Sequence, residues 1–126
     1  MAPKDKELLL KDLCARLPYG LKVKCEEYSF PVTILYSGNI DDVKFKETGG
    51  IENICTIKPY LFPLSSMTEE GQRTLDSMCN GVEMVSRLSG LKMFVKAFDW
   101  LNENHFDYRG LIEKGLAIDA TGLNIY

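Results

Sequence analysis

Residues 57–70 read Ile57-Lys58-Pro59-Tyr60-Leu61-Phe62-Pro63-Leu64-Ser65-Ser66-Met67-Thr68-Glu69-Glu70. Strand-like patterns precede this stretch and helix-like patterns follow it, so its reading decides the fold. Pro59 and Pro63 lack amide protons, which argues against a central strand and against a helix interior. Tyr60, Leu61, Phe62 and Leu64 are too apolar for a solvated linker. The stretch is therefore expected to be a rigid, extended joint packing a strand half against a helical half. Thr68 is placed to cap the next helix, with Glu69 and Glu70 where its dipole favours negative charge.

Upstream, Gly20 to Glu26 alternates, with Lys22 and Lys24 against Val23 and Cys25, as a half-buried strand does. Phe30 to Tyr36 is β-branched and aromatic, with Pro31 at its start, where a missing donor is tolerated. Ser37 to Asp41 reads as a turn. Val43 to Glu47 alternates again, with Lys44 and Lys46 against Val43 and Phe45. Thr48-Gly49-Gly50 is the next turn. Ile51 to Ile57 makes a fourth strand, with Cys55 and Ile57 expected inward. Short strands joined by tight turns suggest an antiparallel meander curling toward a small, SH3-like barrel, with Lys58 to Pro63 as its exit strand or turn. Periodicity alone does not decide whether it closes.

Before the meander, Leu8, Leu9, Leu10, Leu13, Cys14 and Leu17 recur at helical spacing. Lys6, Glu7, Lys11, Asp12 and Arg16 are assigned to the solvated face, giving a helix over 5–16 that Pro18 and Gly20 end. Beyond the joint, a helix starts near Thr68 with Leu75, Met78, Cys79 and Val82 in its stripe, weakened by Gly71 and Gly81. Asn80 to Gly90 has no single reading. Met93, Phe94, Ala97, Phe98 and Leu101 line a helix over 91–104. Asp107 is placed to cap a last short helix that buries Leu111 and Ile112 and stops at Gly115, after which Leu116-Ala117-Ile118 suits an edge strand. The expected architecture is one α+β domain over 1–126: helix 5–16, β meander 20–62, mainly helical 68–115.

The totals narrow the function classes. The chain has 126 residues, 45% hydrophobic and 26% charged, which is ordinary for a globular domain with its own core. A net charge of −3 gives the whole molecule no attraction for a nucleic-acid backbone, though a local basic face remains open. Cys14, Cys25, Cys55 and Cys79 include no C-x-x-C pair, so zinc is a poor reading and reduced core thiols are expected. Without a secretory signal pattern or a run of membrane-spanning length, a cytoplasmic location is expected.

Three blocks carry a resemblance: Leu8 to Gly20 (LLLKDLCARLPYG), Ile57 to Glu70, and Phe98 to Ile118 (FDWLNENHFDYRGLIEKGLAI). Together they resemble a family of short uncharacterised proteins of gut Bacteroides-type bacteria, often in prophage-like or mobile-element settings. The family's joint usually carries a basic residue where this chain has Phe62, which puts any role of that residue in doubt here. The resemblance implies a bacterial, cytoplasmic, phage-linked protein. It implies no activity.

Two constellations could carry function. Asp99, Glu103, His105, Asp107 and Arg109 surround the single histidine, so a carboxylate-oriented imidazole could serve as general base of a hydrolase-like site. Nothing nearby supplies a nucleophile or an oxyanion site, and a solvated polar face explains the same residues. A mononuclear metal site would want a second histidine or a cysteine pair, so no metal or cofactor is expected. Tyr108 and Arg109 are of types enriched at interface hot spots, and with Trp100 and His105 they form a candidate docking surface for a protein partner. Trp100, off the main stripe of its helix, is expected to stack on Pro59 or Pro63. The second constellation is Lys22, Lys24, Lys44 and Lys46. On one sheet face, near Tyr28, Tyr36 or Tyr60, they would suit nucleic acid. Against that, residues 20–62 hold five basic and six acidic residues, and lysines commonly blunt a sheet edge. A non-enzymatic interaction protein is the leading expectation, with a nucleic-acid-binding module and then a His105-centred hydrolase as alternatives.

Overall fold

The computed structural model describes residues 2–39, 42–79 and 87–126. Helix α1 (Pro3–Arg16) opens the chain, and a 3-10 turn at Leu17–Tyr19 leads to Gly20, whose positive φ of 67° reverses the backbone. Strands β1 (Lys22–Cys25), β2 (Val32–Asn39), β3 (Asp42–Phe45) and β4 (Ile51–Asn53) form the meander. A 3-10 turn (Ile54–Thr56) precedes β5 (Ile57–Pro63). Helices α2 (Glu69–Cys79) and α3 (Arg87–Glu103) follow, then two short strands, β6 (Phe106–Asp107) and β7 (Ile118–Asp119). The sheet order is β4-β3-β2-β1-β5-β6, with β7 also on β5. The fold is α+β: an antiparallel-dominated open sheet between an N-terminal helix and later helices. Among the described residues β4 pairs only with β3, so the curl toward a barrel stops short of hydrogen-bonded closure.

The joint is corrected to a strand inside the sheet. Ile57, Lys58 and Pro59 pair with β1, while the end of β5 pairs in parallel with β6 and β7. The prolines permit this because successive residues of a strand aim their backbone groups at opposite edges. Phe62 N–H donates to the His105 carbonyl on one edge, and the Leu61 carbonyl accepts from Ala120 N–H on the other. Pro59 and Pro63 share the parity of Leu61. Their missing donors therefore fall on the β7 edge, outside the two residues, Tyr60 and Leu61, that β7 covers. The apolar argument holds: Pro59, Tyr60 and Leu61 are buried.

Other expectations change at element ends. Ile54 rather than Cys55 turns inward, leaving Cys55 exposed and Cys25 buried, both as free thiols. Cys14 is exposed as well. Thr68 Oγ1 accepts from Gly71 N–H at 3.1 Å, so the expected cap is present. The expected last helix is absent. Asp107 still accepts from Leu111 N–H at 3.0 Å and Ile112 N–H at 2.9 Å, but these bonds tie a series of turns. Of the unassigned stretch, 80–86 lie outside the described residues and Arg87 already begins α3; Gly81 and Val82 fall in that gap, as do residues 40–41 of the expected turn.

Alternation decides what the sheet presents. Val23, Cys25, Val32, Ile34, Val43, Phe45, Ile57 and Leu61 join Leu9 and Leu13 of α1 in one core. The intervening residues of β1, β3 and β5 consequently face away from α1. Between β1 and β5 the ladder runs through Val23–Pro59 and would continue with Lys22 and Tyr60. Instead the Tyr126 hydroxyl is spliced in, accepting from Lys22 N–H at 3.0 Å and donating to the Tyr60 carbonyl at 2.8 Å. The residue is 45% exposed, but its hydroxyl is enclosed, and burial raises the phenol above its usual range. Tyr126→Phe is expected to lower folding stability by about 1 kcal/mol, the usual net loss for one such hydrogen bond. Equilibrium urea unfolding at pH 7 measures it, and an unchanged midpoint would show the splice to be dispensable.

Candidate functional site

Helix α1, the end of α3 and the turns after β6 meet around a buried ion cluster. Asp12 and Arg16 are fully buried. Arg16 Nε donates to Asp12 Oδ2 at 2.9 Å, and Nη2 donates to Asp12 Oδ1 at 3.2 Å and to the Phe106 carbonyl. Arg109 Nε lies 3.3 Å from Asp12 Oδ1 as a second ion pair. Burial pushes the Asp12 carboxyl up from its ordinary range, against the opposing pull of both guanidinium groups. The Tyr108 ring sits 5.3 Å from the Arg16 guanidinium carbon and 5.0 Å from that of Arg109, within cation–π reach. Its hydroxyl donates to Asn102 Oδ1 at 2.8 Å. Asp12 and Arg16, assigned to the solvated face, are thus the internal anchor of the helix. The overlooked signal is phase: Leu9, Asp12, Leu13 and Arg16 recur at i, i+3, i+4 and i+7, on the stripe that must be buried.

His105 is not placed for catalysis. It is buried, holds a φ of 61°, and stacks on the Tyr126 ring at 3.8 Å and 13°. Nδ1 makes no hydrogen bond to the described residues. Burial, with the nearby Arg16 charge adding, lowers its pKa to about 4. The acids expected to orient it are elsewhere: Asp99 and Glu103 are exposed on α3, and Asp107 is occupied by backbone amides. Among the described residues no group of three or more His, Cys, Asp or Glu side chains could hold a metal ion.

The docking surface is brought together only in part. Trp100 stacks on Phe106 (5.7 Å, 20°) rather than on a proline, and borders a cleft of about 300 Å³ with Phe62, Thr68 and Gly71. Tyr108 and Arg109 are half-buried in the ion cluster, and His105 is inside. Of the stripe expected on this helix, Phe94 and Phe98 are outside, joined there by Val95, which the sequence did not assign to it. Ala97 and Leu101 are buried, but Phe94, Val95 and Phe98 are 45%, 58% and 48% exposed. The Phe98 and Tyr108 rings touch, with centroids 5.2 Å apart. Tyr108 in turn borders a cleft of about 350 Å³ with Pro63, Leu64, Gly110 and Ile112. An apolar strip therefore runs from the middle of α3 into a recess beside β5.

On the sheet, Lys22, Lys24, Lys44 and Lys46 all belong to the face turned from the core, as does Lys58 of β5, which the sequence did not single out. The expected aromatic companions are not beside them. Tyr60 is buried and Tyr28 packs on Phe45 and Phe30, while the Tyr36 side chain lies outside the description. No helix among the described residues is long and apolar enough to cross a membrane. No family model, curated protein or solved structure matches the chain.

Proposed function

We propose that this protein is a non-enzymatic interaction module whose partner is another protein, engaged through the strip formed by Phe94, Val95, Phe98 and Tyr108. The carrying observation is the exposure of three large apolar side chains close together in the middle of α3, whereas the other exposed large apolar residues, such as Phe30, Leu35, Ile51 and Leu123, are spread over separate elements. A contiguous apolar patch in contact with a recess is what a docked apolar segment leaves behind when it is absent. The rim carries both signs, Lys92, Lys96 and Arg109 against Asp99, Glu103 and Glu113, so selection rests on shape and apolar contact. The occupant that fits is an apolar peptide segment with one anchoring side chain in the Leu64–Tyr108 recess. Accessory work for a phage or mobile element in a bacterial cytoplasm is the setting we propose for it, on the resemblance of the three sequence blocks.

The test is capture from nuclease-treated extract of the native host, comparing wild type with Phe94→Glu/Phe98→Glu and with Lys24→Ala/Lys58→Ala. A specific partner is expected to survive nuclease, be retained by the lysine variant, and fall at least about tenfold with the phenylalanine variant, as loss of two anchors implies. Equal capture by all three folded proteins would remove the strip from the account. A His105-centred hydrolase has no support in this geometry, because its acids and its histidine do not meet.

A further inference from the structure

A different face carries a different ligand chemistry. Lys24 of β1 and Lys58 of β5 are direct cross-strand partners. Like charges placed opposite one another destabilise a sheet, so such a pair is unfavourable unless something negative lies over it. Among the described residues, no ion pair involves Lys22, Lys24, Lys44, Lys46 or Lys58. The pair lines a cleft of about 400 Å³ with Glu26, Cys55, Thr56 and Ile118. Glu26 offers one carboxylate to two ammonium groups and forms no ion pair with either. Glu47 lies close enough for the Lys22 charge to help hold its carboxyl below the usual range, but its oxygens are taken by Thr33, accepting from Thr33 N–H at 2.6 Å and from Thr33 Oγ1 at 2.8 Å.

From β5 through β1 and β2 to β3 the basic face crosses three strand spacings, about 14 Å. One phosphate cannot span that width, whereas a chain of phosphates can. We propose that this face binds the phosphate backbone of a nucleic-acid strand, seated at the Lys24–Lys58 cleft and continuing toward Lys44 and Lys46. A bilayer surface suits it less, because the cleft recedes from the face and a flat array of headgroups does not enter a recess. The described aromatic side chains supply no stacking platform here, so base identity goes unread and affinity comes from charge alone. A net charge of −3 opposes approach, so the interaction belongs to low salt.

The experiment is fluorescence anisotropy with a labelled mixed-sequence single strand of roughly 20 nucleotides and with its duplex, between about 50 and 200 mM salt. Five lysine contacts to a single strand imply a log–log salt slope of about −3.5, a loss of affinity of about a hundredfold across that range. Lys24→Ala/Lys58→Ala, both on exposed positions, is expected to reduce the slope by about 1.4 and weaken binding more than about tenfold at the lower salt. Cys55 gives an independent readout because its thiol lies in the same cleft. Saturating oligonucleotide should slow its alkylation, mapped by peptide mass, while that of exposed Cys14 on α1 stays constant. Binding that ignores the lysine variant, a slope near zero, or unprotected Cys55 would overturn the proposal. So would anionic vesicles binding while both oligonucleotides do not, which would assign the face to a membrane.

Discussion

Replacing Arg16 with alanine is expected to lower folding stability by about 3–5 kcal/mol, the cost of removing one partner from a buried ion pair. The side chain is fully buried and closes three hydrogen bonds, two to Asp12 and one to the Phe106 carbonyl. Its loss leaves the Asp12 carboxylate in the interior with only the Arg109 ion pair at 3.3 Å, and leaves a carbonyl of β6 unpaired. The Tyr108 ring also loses one of its two guanidinium neighbours. A domain of this size typically has about 5–15 kcal/mol in total, so the variant should be at or near the edge of folding. Urea unfolding followed by circular dichroism measures it, as a fall in midpoint at constant slope. The double variant Asp12→Leu/Arg16→Met separates an uncompensated charge from lost volume. An apolar pair of similar size often replaces a buried ion pair at little cost, so the double variant should recover part of the loss, the Phe106 carbonyl and Arg109 still lacking their partners. If Arg16→Ala costs less than about 1 kcal/mol, the cluster is not what secures α1 to the turns after β6.

This cluster also marks how far the sequence could be read. Helix α1, the four meander strands, the Thr68 cap and α3 were legible because each rests on local pattern: apolar period, turn residues, a capping hydroxyl. Three things were not. The parity that lets Pro59 and Pro63 sit in β5 depends on which edge each neighbour occupies, and that is fixed by β6 and β7, more than 40 residues on. The burial of Asp12 and Arg16 was visible in their phase but hidden by residue type, since a charge is assigned to water until a partner is known. Arg109 and the Phe106 carbonyl come from the far end of the chain. The exposure of Phe94 and Phe98 is the converse case. Helical spacing gives the face that could be buried, and only tertiary contact decides how much of its length is covered. Of the candidate sites, the lysine pairs on each strand followed from alternation, but that both pairs share one face depended on the strand order and register. The histidine constellation failed because adjacency in sequence placed Asp99 and Glu103 on a solvent face and His105 beneath Tyr126.

The same buried histidine gives the protein a defined acid response. His105 titrates near 4 in the folded chain against an ordinary value of 6.5, because burial, with the Arg16 charge adding, disfavours the imidazolium. Well above 6.5 the ring is neutral in both states and imposes no penalty. As pH falls below that value the unfolded chain takes up a proton that the folded chain refuses, so stability declines until about pH 4, where both are protonated. The full loss is about 3 kcal/mol, of which about 2 kcal/mol falls between roughly pH 6.5 and 5, above the range of ordinary carboxylates. Glu47 and Asp119, whose carboxyls sit below their usual range, lose stability only at lower pH. Asp12, raised by burial, acts with the opposite sign. All three are shared by wild type and His105→Asn, so the difference between the two profiles isolates the imidazole. Asparagine is the substitution of choice because the backbone at 105 has a φ of 61°, which asparagine adopts more readily than most residues. Urea midpoints at half-unit pH steps should fall in wild type relative to the variant between roughly pH 6.5 and 5. Parallel profiles would mean that the imidazole accepts its proton in place, with the Tyr126 stack opening to admit water around it.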